Sequence, residues 1–70
     1  MTETTALLRA IHYDLAAANG LTAALIGKIN NKPSSAIDHA TVPAIEAMVT
    51  ADKYRKLADE LAEEAANDAQ

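Results

Sequence analysis

The chain has 70 residues, half of them hydrophobic, a net charge of -4 and no cysteine. That length allows one small domain, and the missing cysteines exclude disulfide staples and zinc sites of the cysteine type. Of its 35 hydrophobic residues 17 are alanine, and Phe and Trp are absent. Alanine favours helix but buries little area, so a monomer has a thin core and a homodimer is the expected stable species.

Residues 1–33 carry three bases (Arg9, Lys28, Lys32) against two acids (Glu3, Asp14), whereas residues 34–70 carry three bases against eight acids. An acidic second half disfavours a nonspecific grip on phosphates, so nucleic acid is not an expected partner. No run approaches the ~18 consecutive apolar residues of a membrane span, and the start Met1-Thr-Glu-Thr-Thr lacks the basic residues of a signal peptide. A cytoplasmic protein without a membrane partner is expected.

A first helix over about 4–30 follows from the spacing of Leu8, Ile11, Leu15, Ala18, Thr22, Leu25 and Ile29, which alternates steps of three and four and holds one stripe toward a partner helix. Thr4 or Thr5 can cap it, with Glu3 at the positive end of its dipole. Asn19-Gly20 suits a turn, but the stripe passes through Ala18 and Thr22 in phase, and an interior Gly costs only about 1 kcal/mol relative to Ala. The expected helix is therefore continuous.

The segment Asn30-Asn-Lys-Pro-Ser-Ser35 marks the break, because Pro33 disfavours helix at Lys32 and paired Asn and Ser suit turns and caps. Ser35 followed by Asp38 resembles a capping box, which predicts a short helical turn within a connector over about 31–42. Pro43 fits the first turn of a new helix capped by Thr41, and Thr50 could cap a further break. Ala44, Ile45, Met48, Val49, Tyr54, Leu57, Leu61 and Ala65 then sustain helical spacing over about 43–67.

The expected architecture is all-α: one helical domain over residues 1–70, a hairpin with a short helical connector that dimerises into a four-helix bundle. In that arrangement Leu8, Ile11, Leu15, Leu25 and Ile29 meet Ile45, Met48, Leu57 and Leu61 in the core, and Leu15→Ala or Ile11→Ala costs about 2–4 kcal/mol.

No residue group reads as a catalytic, cofactor-binding or metal-binding site, and the chain is not expected to be an enzyme. His12 and His39 stand apart with no His-x-x-x-His or Glu-x-x-His spacing, and Ser34 and Ser35 have no base at a recognisable distance. The face behind the stripe carries Arg9, Tyr13, Ala16, Gly20, Ala23 and Gly27, flanked by Lys28. Small residues there admit another backbone, and Tyr and Arg are enriched in binding hot spots. Arg9, Tyr13, Lys32 and His39 are thus the candidate partner contacts. The acids Asp59, Glu60, Glu63, Glu64 and Asp68 lie against the dipole at a helix C-terminus, which predicts fraying unless something positive sits beside them, with Arg55–Asp59 and Lys56–Glu60 as i,i+4 pairs in the weaker orientation.

In size, acidity and hairpin pattern the layout resembles the dimeric helical hairpins typified by the plasmid copy-number control protein, and the small helical proteins that phages make to inhibit host factors. That resemblance implies a protein-binding module that inhibits or modulates a partner protein. The segment from Leu15 to Ile37 also looks loosely like a repressor-type helix-turn-helix, with Gly20-Leu21-Thr22 opening one helix and Pro33-Ser34-Ser35 a recognition helix, which implies a small DNA-binding regulator as the alternative. Its would-be recognition helix holds Asp38 and neither Arg nor Lys, leaving little to grip a phosphate or a guanine.

Overall fold

The computed structural model describes residues 1–68 as two helices, α1 (Glu3–Ile29) and α2 (Ser34–Asp68). Tyr13 lies against Tyr54, Gly20 against Ala44 and Gly27 against Ile37, so the helices run antiparallel as a hairpin. The molecule is a rod of 58 × 14 × 13 Å. This is the all-α hairpin expected from the spacing.

Helix α1 is capped by Thr2, not by Thr4 or Thr5. The Thr2 Oγ1 accepts the Thr5 amide at 3.1 Å, and Glu3 occupies the first turn where its charge suits the dipole. The helix passes through Asn19-Gly20 without a break. It stops at Asn31, which adopts φ 55°, the left-handed conformation that Asn tolerates better than most residues. The Asn31 amide donates to the Lys28 carbonyl at 3.1 Å and the Lys32 amide to the Gly27 carbonyl at 2.9 Å, the two bonds of a Schellman cap. Pro33 then prevents α1 from resuming, and its carbonyl accepts the Ala36 and Ile37 amides that open α2.

The expected connector over 31–42 is much shorter, because α2 starts at Ser34 and continues through Pro43. Ser35 is already inside the helix and does not cap it. Pro43 has no N–H to offer the His39 carbonyl, a cost of about 3 kcal/mol in a helix interior. Ala40 and Ala44 pack closely on α1 around Gly20 on either side of the proline, which holds the helix on course. The two threonines expected as caps instead bond back within the helix: Thr41 Oγ1 donates to the Ile37 carbonyl at 2.9 Å and Thr50 Oγ1 to the Glu46 carbonyl at 3.0 Å. At the far end α2 continues to Asp68 with no base in its last turn. With 35 residues against 27 it outruns α1 by roughly two turns, so the acidic end extends beyond the paired region.

The seam between the helices is the largest departure from expectation. Its buried residues are all alanines: Ala6, Ala10, Ala17 and Ala24 from α1, and Ala44, Ala51 and Ala58 from α2. Ala10, Ala17 and Ala24 are seven residues apart, as are Ala44, Ala51 and Ala58, so each helix offers a small residue to the other on every second turn. Tyr13, Gly20 and Gly27 complete the α1 side. Leu8, Ile11, Leu15, Leu25 and Ile29 do not meet Ile45, Met48, Leu57 and Leu61 across this seam. The first five are 53–69 % exposed, Ile45 and Met48 are exposed, and Leu57 and Leu61 are half-buried. The reason is backbone spacing. A Cβ at Gly20 would lie 2.8 Å from the Ala44 Cβ and 3.0 Å from the Ala40 carbonyl oxygen, leaving no room for leucine between the helices.

The two glycines therefore respond oppositely to the same change. Gly20→Ala sets a helix-propensity gain of about 1 kcal/mol against an overpacking cost of about 1–3 kcal/mol and should lower the melting temperature. At Gly27 the nearest atom to an added Cβ is 3.7 Å away, so Gly27→Ala should raise it, by about 0.5–1 kcal/mol of stability. Thermal melts followed by circular dichroism at one protein concentration check both signs.

Candidate protein-binding surface

Small residues take up the seam, and the large apolar side chains of α1 are left on the outside. Position 8 and every third or fourth residue to position 29 form a stripe turned away from α2. Leu15 is 61 % exposed and Ile29 69 %. No charged residue interrupts the stripe.

One ion pair locates an edge between the two helices. Arg55 bridges the two helices, donating through Nη1 to Asp14 Oδ2 at 2.6 Å and through Nη2 to Asp52 on its own helix. The hydrogen bond to Asp14, then that to Asp52, holds the Arg55 guanidinium above its ordinary pKa range. Such an exposed pair adds little stability, but it marks one edge of the hairpin. Leu21 lies seven residues after Asp14 and Met48 seven before Arg55, so both fall in phase on that same edge. Leu21 and Met48 are exposed along this edge, whereas Val42 and Val49, two residues from Ala44 and Ala51, are exposed on the outer face of α2. This also corrects one of the two expected pairs, since Arg55 is engaged with Asp14 and Asp52 rather than Asp59.

The four candidate contacts fall in different places. Tyr13 is half-buried and stacked on Tyr54, with ring centroids 5.8 Å apart and planes 7° from parallel. Arg9 leans over the same Tyr54 ring at 5.7 Å from its centroid. Tyr13 is thus part of the seam that closes the hairpin, not a free contact, because the alanines beside it bring the two rings into register. Lys32 belongs to the turn, where its stem lies over Gly27. His39 is exposed and, with Ser35, Asp38, Val42 and Pro43, lines a shallow depression formed by α2 alone. The structure brings Arg9 and Tyr13 together around Tyr54 and leaves Lys32 and His39 near the turn.

The chain matches no protein-family model, no curated protein and no solved structure. The reading of this surface rests on its own chemistry. Among the described residues no group of three or more His, Asp or Glu side chains converges on a point that could hold a metal ion. No helix of these residues is long and apolar enough to cross a membrane. The helix-turn-helix reading loses its geometry: Gly20-Leu21-Thr22 opens no helix, and α1 and α2 lie side by side rather than at the 90–120° of that motif.

Sequence spacing places this stripe in the core of a dimeric bundle, against Ile45, Met48, Leu57 and Leu61, and does not show that the hairpin closes without it. A signal against that assignment was available in α2. Met48 and Leu57 are nine residues apart, so at 100° per residue they lie on opposite sides of a helix and cannot face one partner.

Exposure and burial predict contrasting outcomes for the same charge. Leu15→Glu should leave helicity intact at dilute concentration, where the hairpin stands alone, instead of costing the 2–4 kcal/mol of a core truncation. Ala51→Glu, at a position with no exposure, should abolish the cooperative thermal transition. Far-ultraviolet circular dichroism compares them. Tyr13→Ala should cost about 1–3 kcal/mol of hairpin stability, read in the same melts, through the lost stack and buried area.

Proposed function

We propose that the chain is a protein-binding module that inhibits or modulates a partner protein, and that the α1 stripe is its working surface. One observation carries this reading. Five large apolar residues at helical spacing, Leu8, Ile11, Leu15, Leu25 and Ile29, stand more than half exposed on a helix whose own hairpin contact is made by alanine. Scattered apolar residues on a surface need no explanation, but a contiguous stripe over six turns marks a place where protein docks. An amphipathic helix in an apolar groove is recognised through anchors at this spacing. A phage-encoded inhibitor of a host factor, the class the layout resembles, is the specific form of this proposal.

The alternative, DNA binding, rests on Lys28 and Lys32 beside an acidic second helix, and lacks a basic helix to enter a groove. Affinity capture with purified protein separates the two. The double variant Leu15→Glu/Leu25→Glu should lose any protein captured by wild type, with Arg9→Ala and His39→Ala producing smaller losses and added salt having a mild effect. Specific retention of duplex DNA, with a steep salt dependence and sensitivity to Lys28→Ala and Lys32→Ala, would replace this reading with the DNA-binding one.

A further inference from the structure

The proposed module has a surface, and its dimensions point to what covers it. The chain exposes 5176 Å². A compact monomer of 7.4 kDa exposes about 4,200 Å² by the usual scaling of surface with mass, so this one carries roughly 1,000 Å² in excess. A stable protein–protein contact of standard size buries about 800 Å² from each partner. The excess is thus of the size that one such contact removes.

The order of side chains along the stripe is consistent with a second copy as the occupant. Read from the N-terminus the stripe is Leu8, Ile11, Leu15, Ala18, Thr22, Leu25, Ile29. It is large at both ends and small in the middle. Read from the C-terminus it gives nearly the same profile. An isologous contact requires such self-complementarity, because residue i of one copy meets j of the other and j meets i. Antiparallel pairing brings Leu8 and Ile11 of one copy toward Ile29 and Leu25 of the other, sets Leu15 against Thr22, and puts Ala18 at the two-fold axis, where a small residue lets helices cross closely. No charge is buried by this pairing, since the stripe contains none.

We infer that the α1 stripe docks on the α1 stripe of a second copy, antiparallel and centred near Ala18, to give a layered four-helix dimer in which the two α1 helices form the central contact and each α2 lies on the outside. The inference rests on the protein-binding reading above and names the occupant of its surface. A target that uses the same stripe has to displace the second copy.

The absence of native cysteine makes the register directly testable. Single substitutions Ala18→Cys, Leu8→Cys and Ile29→Cys are treated with a short thiol-to-thiol cross-linker at micromolar concentration. Ala18→Cys should link to a covalent dimer. Leu8→Cys and Ile29→Cys should each remain monomeric alone, because antiparallel pairing holds the two identical positions roughly 30 Å apart, and should link when mixed with each other. Sedimentation equilibrium should show wild type as a dimer and Leu15→Glu weakened on the order of 100-fold with its helicity retained. Efficient linking of Leu8→Cys to itself would indicate a parallel pair and overturn the inference. So would a wild-type monomer at 100-fold higher concentration. The outcomes also separate the two proposals: a monomeric wild type whose partner capture is lost in Leu15→Glu/Leu25→Glu overturns the second copy and keeps the binding module, whereas a monomer whose capture is unaffected overturns both.

Discussion

Two helix backbones approach each other at Gly20 and Ala44 more closely than any large side chain permits, and the other features of the molecule follow from that distance. A Cβ at Gly20 would clash with α2, so at this crossing the facing residues have to be small, and Ala17 and Ala24 on α1 and Ala44 and Ala51 on α2 surround it. Alanine meets that demand at seven-residue intervals on both helices. Because Gly20 is fitted to Ala40 and Ala44, the pairing cannot slide by a turn without placing a side chain where only hydrogen fits. Register, and with it the Tyr13–Tyr54 stack and the Asp14–Arg55 bridge, is thereby fixed by the smallest residues in the chain.

Close packing of small residues exchanges area for proximity. Each buried alanine removes little apolar surface from water, and the seam gains its cohesion from many short van der Waals contacts and from helix propensity. A hairpin held this way leaves its leucines and isoleucines unused. The hydrophobic area ordinarily spent on a core is kept on the exterior, where binding draws on residues that the hairpin does not use. This division of labour, alanine for the fold and leucine for the surface, is consistent with a protein whose function is contact.

How much of this could be read from the chain depends on which pattern is followed. The helical class, the uninterrupted passage through Asn19-Gly20 and the break at Asn31-Lys32-Pro33 were legible, because each rests on local backbone chemistry: a stripe in phase, a cap that tolerates positive φ, a proline. The boundary of α2 was not. Pro43 is a helix breaker by propensity, and it is accommodated here by tertiary packing on either side, which no local rule contains. The seam was misassigned for a quantitative reason. Helix α1 carries two stripes at three-and-four spacing, and judged by apolar area the one with Leu8, Ile11 and Leu15 outweighs the one with Ala6, Ala10 and Ala17. Area was the wrong criterion where distance decides. The matching sevenfold spacing of Ala44, Ala51 and Ala58 on α2 was the sequence feature that favours the small stripe. For the same reason Tyr13, grouped with a free back face, lies inside the hairpin.

The tyrosine stack has a consequence for how this molecule can be observed. Tyr13 and Tyr54 are the chain's only aromatic residues of the Phe, Tyr and Trp type, and they come one from each helix. Every photon absorbed by a phenol ring is therefore absorbed at the junction between α1 and α2. Near-ultraviolet dichroism and tyrosine emission report on the closure of the hairpin itself, free of background from any other ring. The protein carries an intrinsic optical gauge within its seam, sensitive to opening of the two helices.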